Sequence, residues 1–523
     1  MSYRKMHIRP ATYLLTLVFF LSGCASVPEL GPREPSYALD NTASTAISRA
    51  LAEDQAAHPG LSAFYPLADG LDAFVARAVL ADASEKSIDA QYYLYHNDLV
   101  GKLFTSLLVN AANRGVRVRL LVDDMAIDNG DAGAIKIDAH PNIEVRIFNP
   151  FFRNAPRTAQ LIARFGKVTR RMHNKSFIVD NQIAVLGGRN IGNEYFNADK
   201  NLIFGDLDVI AKGPIVTDVS ASFDQYWNHQ LAYPIDSFVE EAPDESLVGT
   251  LREEVKQFSE EQADSAYLTA LRHSDLATSL RVQGIEYFWG NGAVVSDDPD
   301  KINSDRNRTD LHLVDELQQY TSQIQDDLII FSPYFVPGKK GVAWLESLRD
   351  RGVRVRILTN SLASTDVSVV HAGYSRYRKA LLRAGVELWE YDDQLTRKQR
   401  KEIKGVSGSS QASLHAKSFV LDKQRVFIGS LNLDPRSISE NTEIGVVIES
   451  KEMALEMASS FEQKIDEIAF RLSLQPNAFG RDKIVWHRLQ EGTSRIYTSE
   501  PNSSLWRRFT TRILRWMPIE SQI

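Results

Sequence analysis

The sequence predicts an α/β protein of two lobes that are related by a pseudo-twofold axis and share one site at their interface. Two observations support this prediction. A motif of the form His-x-Lys-x4-Asp occurs twice, beginning at His173 and again at His415. A similar order of strand, helix and strand precedes each copy of the motif. We therefore expect each lobe to be a mixed, largely parallel sheet flanked by helices.

The repeated strand–helix–strand unit is identified by its hydrophobic pattern. Residues 87–94 have the pattern of a buried strand, and residues 99–113 place apolar side chains on one helical face up to Gly115. Residues 116–122 form the next strand. The second half of the chain repeats this order at residues 328–335, 341–350 and 351–358. Units of this kind place parallel strands side by side, buried between helices.

The motif itself is predicted to form a β-hairpin in each lobe. Residues 175–180 and 417–422 are apolar runs that end in an acidic turn, and strands at 183–186 and 426–428 follow. The histidine and lysine of each copy, at positions i and i+2, lie on one face of the strand. Each lobe would therefore present half of a site.

The repeated residue types suit chemistry at a phosphodiester. Histidine can attack phosphorus or protonate a leaving alcohol, lysine neutralises non-bridging oxygens, and asparagine adds a neutral donor. The predicted catalytic residues are His173, Lys175, Asp180, His415, Lys417 and Asp422, and the predicted substrate-binding residues are Asn190 and Asn432. Within this set, Asp180 and Asp422 are interpreted as mainly architectural, because acidic residues at turns commonly bond to local backbone.

A catalytic histidine also needs a carboxylate on its far nitrogen, which fixes its tautomer. Glu443, at the start of a strand after the second motif, is the candidate in the second half of the chain. Asp206 is its counterpart after the first motif, with Asp208 as the alternative. One histidine attacks phosphorus to form a covalent phosphohistidine, and the other acts as acid and then as base, so their titrations should be coupled.

The composition excludes several classes of site. Cys24 is the only cysteine, so no disulfide, zinc cluster or thiol active site is expected within the chain. We predict no cofactor and no metal, because the lysines already supply positive charge and no calcium-loop spacing occurs. The net charge of -7 argues against a nucleic-acid partner.

The first residues have the features of a lipoprotein signal. Arg4, Lys5 and Arg9 precede an apolar run at 11–21 that is short for a membrane span. Residues 21–24 resemble the lipobox of bacterial lipoproteins, which predicts cleavage of residues 1–23 and lipidation of Cys24. Ala25 at the next position favours the outer membrane of the cell envelope by the same resemblance. The alternative is an uncleaved N-terminal anchor.

Composition changes along the chain suggest the domain boundaries. The predicted order is a flexible tether at 24–60, a first lobe at 61–239, a crossover linker at 240–280, a second lobe at 281–475 and a C-terminal tail at 476–523. In the tail, apolar side chains from Trp506 to Trp516 lie at helical spacing with four arginines among them. The sequence allows either a helix on an anionic membrane surface or a helix packed over a lobe.

The paired motifs resemble the HKD signature of the phospholipase D superfamily over about residues 61–475. Further segments resemble the bacterial cardiolipin synthase C type, namely 64–70, 91–96, 190–195, 297–301 and 516–520. The first glycine pair departs from the superfamily pattern, with Gly188 where a serine is usual.

The resemblance implies a membrane-associated phosphatidyltransferase that makes cardiolipin by transphosphatidylation. Its implied substrates are phosphatidylglycerol and, as an alternative donor, phosphatidylethanolamine, and its implied nucleophile is His173. The same residues would serve a phospholipase D that transfers to water. A nuclease and a binding protein with a dead site are the remaining alternatives; the net charge opposes the first, and two intact motifs oppose the second.

Overall fold

The computed structural model describes residues 27–126, 131–164, 166–199, 202–239, 246–281, 284–394, 411–490 and 493–517. The predicted signal segment 1–23 and the predicted lipidation site Cys24 lie outside these residues.

The strands of the first lobe run from residue 62 to residue 234. They are β1 (Ser62–Leu67), β2 (Ser87–Tyr92), β3 (Arg117–Asp123), β4 (Ile143–Phe148), β5 (Ser176–Val179), β6 (Ile183–Gly187), β7 (Leu202–Gly205), β8 (Asp208–Lys212) and β9 (Ala232–Pro234).

The strands of the second lobe begin at residue 288. They are β10 (Phe288–Ser296), β11 (Asp327–Phe331), β12 (Arg354–Asn360), β13 (Glu387–Tyr391), β14 (Gln411–Leu414), β15 (Ser418–Leu421), β16 (Arg425–Gly429), β17 (Ile444–Glu449), β18 (Ala469–Pro476), β19 (Asp482–Gln490) and β20 (Thr493–Tyr497).

Helices cover the sheets in both lobes. In the first half of the chain they are α1 (Ala46–Ala57), α2 (Gly70–Ala83), α3 (Leu99–Asn113), α4 (Ala132–Asp138), α5 (Arg157–Ala163), α6 (Ile215–Trp227), α7 (Ser246–Gln262), α8 (Ala266–Arg272) and α9 (Asp275–Arg281). In the second half they are α10 (Leu313–Thr321), α11 (Gly338–Asp350), α12 (Ser368–Ser375), α13 (Arg378–Arg383), α14 (Pro435–Ser439), α15 (Lys451–Ile468) and α16 (Leu505–Leu514).

The two lobes have the same sheet topology. Across the first lobe the order is β9-β4-β3-β2-β5-β6-β8-β1, and across the second it is β18-β13-β12-β11-β15-β16-β17-β10. Strands β1 and β10 pair antiparallel and join the two sheets. The predicted α/β class, internal duplication and pseudo-twofold relation are therefore confirmed.

The expectation of largely parallel sheets is wrong. Among the strand pairs of the described residues, β2–β3 and β3–β4 are the parallel ones in the first sheet, and β11–β12 and β12–β13 in the second. These are the strands of the strand–helix–strand units. The other neighbours are antiparallel because the motif forms a hairpin and later strands return along the sheet.

The hairpin predicted for each motif is present as β5–β6 and β15–β16. Asp180 and Asn181 turn the first hairpin, each with φ of 51°, and Asp422 and Lys423 turn the second, each with φ of 52°. Two successive residues with positive φ are the requirement of a type I′ turn, and Asp and Asn tolerate that conformation better than most residues.

An apolar core fills the space between the two sheets. Ile178 and Val209 of the first lobe and Val420, Ile428 and Val446 of the second belong to one buried cluster, each at most 1% exposed. The packing of these sheets holds the two motifs in a fixed relation.

The segment predicted as a flexible tether packs on the first lobe wherever it is described. It contains α1, which buries Ile47 and Leu51. Upstream of α1, the backbone of Ala38 donates to Asp224 at 2.8 Å, and that of Ser36 donates to the side chain of Asn228 at 3.0 Å. Two buried apolar residues and satisfied backbone groups hold the segment in place, although its composition resembles that of a linker.

Two other predicted boundaries also change. The segment 240–280 contains α7, α8 and α9, which pack on α2, α3 and α4 of the first lobe. The segment 476–523, predicted as a tail, supplies β19 and β20 to the second sheet and ends in α16. Among the described residues, no helix is long and apolar enough to cross a bilayer.

Candidate active site

The histidine of each motif is held by backbone of the opposite lobe. The N–H of His173 donates to the carbonyl of Thr442 at 2.8 Å, next to a parallel bridge between Met172 and Thr442. The N–H of His415 donates to the carbonyl of Gly205 at 2.7 Å, where β14 and β7 form a two-stranded parallel sheet. Backbone hydrogen bonds from each lobe therefore hold the half-site of the other lobe in position.

The orienting carboxylates are exchanged between the lobes. Nδ1 of His173 lies 2.8 Å from Oε2 of Glu443, and Nδ1 of His415 lies 2.6 Å from Oδ2 of Asp206. All four side chains are buried, with the carboxylates 0% exposed. A carboxylate on Nδ1 leaves Nε2 of each ring for the reaction. The sequence proposed both carboxylates but did not show that each serves the histidine of the other lobe.

Asp208, the alternative to Asp206, has a structural contact instead. Its Oδ2 lies 2.8 Å from Nη2 of Arg77 and 3.5 Å from Nη1 of Arg189, and all three side chains are buried. A carboxylate neutralised by two guanidinium groups inside the lobe supports the fold under the site.

The two lysines are buried cations. Lys175 is 1% exposed and its Nζ donates to the carbonyl of His173 at 2.5 Å; Lys417 is 0% exposed and its Nζ donates to the carbonyl of His415 at 2.5 Å. Burial lowers the pKa of Lys175 well below its usual range and that of Lys417 to about 8. Within the described residues, no group of three or more His, Cys, Asp or Glu side chains is placed to hold a metal ion.

The two histidines differ in electrostatic surroundings. Burial, followed by the charges of Lys175 and Lys417, lowers the pKa of His173 well below its usual value. Burial and Lys417 also lower the pKa of His415, but Asp206 opposes them. Burial would raise the pKa of the Asp206 carboxyl, yet the charges of His415 and Lys417 hold it below its usual range. His415 is therefore the easier of the two to protonate.

Glu443, the carboxylate that contacts His173, is the weaker of the two counter-charges. Burial raises the pKa of the Glu443 carboxyl to about 7, although Lys175 opposes the shift. Its Oε2 accepts a hydrogen bond from the hydroxyl of Ser430 at 2.5 Å, and its backbone N–H donates to Asp297 at 2.8 Å. Asp297 in turn pairs with Lys301 at 2.8 Å. The segment 297–301, which contributed to the family resemblance, thus supports Glu443.

Aromatic rings enclose both imidazoles. Tyr93 meets His173 edge-on with ring centroids 4.9 Å apart. Phe204 stacks on His415 at 4.9 Å, and Tyr195 meets the same ring edge-on at 5.1 Å. The motif did not identify these residues, although Tyr93 and Tyr195 lie in two segments that carried the family resemblance. Such rings exclude water and restrict rotation of the imidazoles.

The motif aspartates hold the hairpin turns to the sheet. The carboxylate of Asp180 accepts from the backbone N–H groups of Glu85, Lys86 and Ser87 at 2.7–3.3 Å. The carboxylate of Asp422 accepts from residues 325, 326 and 327 at 2.8–3.2 Å. The architectural interpretation fits this geometry. Their inclusion among the catalytic residues does not, because these carboxylates bind backbone at the far end of the strand.

The side chains of Asn190 and Asn432 differ in how many hydrogen bonds hold them. Oδ1 of Asn190 accepts from the N–H of Leu94 at 3.1 Å, and its Nδ2 donates to the hydroxyl of Tyr195 at 2.9 Å. Nδ2 of Asn432 is 3.5 Å from the hydroxyl of Ser437, and its buried Oδ1 has no hydrogen-bond partner among the residues that the structure describes. Asn190 therefore has one N–H to offer a phosphate, and Asn432 is weakly held.

The Gly188 departure from the superfamily pattern has a steric cause. A Cβ at Gly188 would lie 2.2 Å from Oδ1 of Asp206. At the equivalent position of the second lobe, Ser430 donates a hydrogen bond to Glu443. In the second lobe the Ser430 side chain lies beside Glu443. In the first lobe the Asp206 carboxylate itself occupies the equivalent space, which leaves room only for glycine at position 188.

The first prediction concerns this contact. Gly188→Ala should displace the Asp206 carboxylate from His415 and lower kcat by about 10²-fold or more, because the conservative loss of such an orienting contact costs on this scale. Circular dichroism and the unfolding midpoint should change little, since the colliding atom ends a side chain. Ser430→Ala is the matched control, since it removes one hydrogen bond without a collision and should cost less activity. Equal losses in both variants would contradict the steric explanation.

The second prediction concerns the cost of burying Lys417. Lowering its pKa from 10.5 to about 8 corresponds to a free-energy cost of about 3 kcal/mol at neutral pH. The unfolded chain binds this proton between pH 8 and 10.5 while the folded protein does not, so stability rises with pH through that window. Lys417→Met should therefore raise the thermal midpoint at pH 7, and it should abolish activity because it removes a cation from the candidate site. The variant should also lose that pH dependence of stability. A variant less stable than the parent at pH 7 would oppose this account.

Comparison with known proteins places this site in a family. The family model described as cardiolipin synthase, PLD-like domain matches residues 77–227 and 317–465, one segment in each lobe. The chain is 41% identical over 465 residues to cardiolipin synthase C of Escherichia coli K12, covering 88% of this chain and 96% of that protein. It is 32% identical over 522 residues to an uncharacterised protein of Helicobacter pylori 26695, covering 96% and 97%.

A solved structure supports the fold. The crystal structure of phosphatidylserine synthase from Haemophilus influenzae aligns with a TM-score of 0.53 over 90% of this chain and 96% of that chain, at 14% identity. The duplicated family match and the extent of the sequence identity agree with the paired motifs and the shared site. The chain belongs to the cardiolipin synthase family of PLD-like proteins.

Proposed function

We propose that the protein is a phosphatidyltransferase that makes cardiolipin by transphosphatidylation. The observation that carries the proposal is the crossed pairing of His173 with Glu443 and of His415 with Asp206, with Lys175 and Lys417 beside them. This arrangement offers one nucleophile, one acid and two cations to a single phosphodiester. The similarity to cardiolipin synthase C over most of the chain supports the same activity.

In the first step Nε2 of His173 attacks phosphorus. The bond from phosphorus to the headgroup oxygen breaks, and protonated His415 gives its proton to that oxygen. The products are a phosphatidyl group on His173 and a free alcohol. Roles are assigned this way because the lysines beside His173 favour its neutral form and its partner Glu443 is a weak counter-charge, whereas Asp206 favours the charged form of His415.

In the second step neutral His415 removes a proton from the hydroxyl of the acceptor lipid. The acceptor oxygen attacks phosphorus, the bond from phosphorus to Nε2 breaks, and His415 is again protonated. Lys175 and Lys417 bind the non-bridging oxygens in both steps, and the free N–H of Asn190 and that of Asn432 add donors. Preorganised cations and donors of this kind stabilise the charge that develops at phosphorus.

The substrates we propose are phosphatidylglycerol as acceptor and either phosphatidylglycerol or phosphatidylethanolamine as donor. Two molecules of phosphatidylglycerol would give cardiolipin and glycerol. A phosphatidylethanolamine donor would give cardiolipin and ethanolamine instead. In both cases one phosphodiester bond breaks and one forms, so no external energy source is required.

We also propose that the chain works in the cell envelope, facing the periplasm and tethered through a lipid on Cys24. The motif at residues 21–24 supports this placement, and Ala25 favours the outer membrane. Labelling with a radioactive or alkyne fatty acid, in the parent chain and in Cys24→Ser, tests it. Label that persists in the variant would refute the tether.

Product analysis tests the activity. Purified protein is mixed with vesicles of phosphatidylethanolamine labelled in its ethanolamine group, with or without phosphatidylglycerol. When phosphatidylglycerol is present, cardiolipin should form; label is released with it where phosphatidylethanolamine is the donor and is retained where phosphatidylglycerol is the donor. His173→Ala should form no cardiolipin and release no label. Release of label with phosphatidic acid as the lipid product, whether or not phosphatidylglycerol is present, would instead identify a hydrolase.

A further inference from the structure

The last helix of the described chain displays a row of large apolar side chains to solvent. We define the α16 apolar face by its side chains, with exposures of 81% for Leu505, 71% for Trp506, 54% for Phe509, 51% for Ile513 and 87% for Trp516. Leu505, Trp506, Phe509 and Ile513 lie on one side of the helix, and Trp516 follows in the turn after it. Such a cluster is unusual on the surface of a soluble protein and indicates an interaction site.

The opposite face of α16 is firmly attached to the second lobe. Arg507 donates to the carbonyl of Ala363 at 3.2 Å and to the hydroxyl of Ser368 at 3.2 Å, and also to the carbonyl of Thr365. Arg508 donates to the carbonyl of Glu500 at 2.6 Å. Polar residues thus face the protein and apolar residues face outward, which is the reverse of an ordinary surface helix.

The attachment places α16 next to the candidate active site. The loop bound by Arg507 contains Asp366, which accepts a hydrogen bond from the hydroxyl of Tyr334 at 2.7 Å. The charge of Asp366 also acts on His415 and Lys417 and helps to raise their pKa values against burial. The loop that holds Arg507 of α16 therefore also supplies Asp366 to the surroundings of the second half-site.

The charge around this face is positive. Residues 501–517 contain four arginines and no acidic residue, in a chain of net charge -7. Arg512 and Arg515 are exposed beside the apolar row. Partial burial and then the neighbouring charges of Arg378, Arg376 and Arg512 lower the pKa of Arg515, as expected for cations gathered with few counter-charges. Apolar side chains flanked by arginines match a bilayer that contains anionic lipid.

We propose that the α16 apolar face docks on an anionic lipid bilayer and thereby holds the half-site of His415 and Lys417 close to the surface from which lipid substrates enter. This inference rests on the proposed function for the source of the lipid, whereas the docking itself rests on exposure and charge. The tryptophans insert at the level of the acyl chains, and Arg512 and Arg515 bind headgroup phosphates.

The test uses the full chain and vesicles that carry brominated acyl chains, which quench tryptophan at close range. The chain has seven tryptophans, so the signal of the helix is obtained as the difference between the parent and the variant with Trp506→Phe and Trp516→Phe. On vesicles of phosphatidylglycerol and phosphatidylcholine, we expect at least about half of this difference to be quenched, as for an interfacial helix. Residues 1–26 contain no tryptophan, so they contribute nothing to this difference signal.

Two sets of variants separate the contributions. Arg512→Gln with Arg515→Gln should weaken the affinity for anionic vesicles, measured by titrating the quenching, by about fivefold for each arginine, as expected for basic residues near a charged membrane. Phe509→Ser with Ile513→Ser should weaken the same affinity at least about tenfold. The matched control is Leu455→Ser, which alters a leucine of α15 that is 43% exposed and should change nothing.

Activity measurements complete the test. The Phe509→Ser and Ile513→Ser variant should show a raised KM on vesicles and an unchanged kcat in detergent mixed micelles. His173→Ala, which cannot turn over, should still be quenched, so failure of the proposed chemistry would leave the docking result intact. Absence of quenching in the parent, or equal quenching by pure phosphatidylcholine, would overturn the proposal. A dimer that Phe509→Ser dissociates, with no quenching by vesicles, would assign the face to a second copy and overturn it as well.

Discussion

His173→Ala is expected to lower kcat for phosphatidyl transfer by at least about 10⁴-fold and to leave no covalent intermediate, because it removes the proposed nucleophile. His415→Ala is expected to cost about 10²- to 10⁴-fold, the usual contribution of a general acid and base. The difference follows from the surroundings of the two rings. Of the two carboxylates that contact the histidines, Asp206 is the one that strongly favours a charged imidazole, and it contacts His415.

The leaving group provides the sharper measurement. A substrate with a p-nitrophenolate leaving group needs no proton, so His415→Ala should regain much of its rate in the first step. The phosphatidyl group should then accumulate on His173, since no base activates the acceptor, and acid-labile, base-stable label on the protein would report it. Rescue of His173→Ala rather than His415→Ala by this substrate would reverse the assignment of roles.

Replacing the carboxylates is expected to have the next largest effect. Asp206→Asn should reduce kcat by about 10³- to 10⁴-fold, because an amide no longer stabilises the imidazolium of His415. Glu443→Gln should cost less, about 10²-fold, because its raised pKa already makes it a weaker counter-charge for His173. The substitutions keep volume and shape, and the buried sites should still fold.

The crossed arrangement gives this experiment a specific signature. Glu443→Gln should slow formation of the covalent intermediate, whereas Asp206→Asn should shift the pH dependence of leaving-group protonation. In double-mutant cycles Glu443 should couple with His173 and Asp206 with His415, by more than about 1 kcal/mol in each case. Coupling of Glu443 with His415, the histidine of its own lobe, would contradict the geometry.

Local features were predicted well from the sequence. The helix predicted at 99–113 is α3 with the same limits, and both motif hairpins are present. These elements are specified by neighbouring residues, through hydrophobic period and turn preference. The segments 24–60, 240–280 and 476–523, predicted as tether, linker and tail, pack on the lobes where the structure describes them, because low hydrophobicity in a segment does not reveal the few side chains that bury it on a lobe.

The arginines of the central strands illustrate the same limit. Arg119 and Arg356 alternate with valines on their strands, a pattern that is typical of a face turned to solvent. Both are 1% exposed: Arg119 pairs with Asp89 at 2.6 Å and Arg356 with Asp327 at 2.6 Å. Helices packed over that face cover the arginines, and the sequence pattern of a strand cannot tell a solvated charge from one with a buried partner.

The amino-acid sequence by itself determined the duplication and the family, and it supplied the candidates for the reacting groups. Each of these depends on residue identity at short, constant spacing, which no packing can alter. Only the tertiary structure decided that Glu443 serves His173 and Asp206 serves His415, and that α16 turns its apolar side outward. The partners in those contacts are 270 and 209 residues apart, so the packing of two lobes, and not any local preference, brings them together.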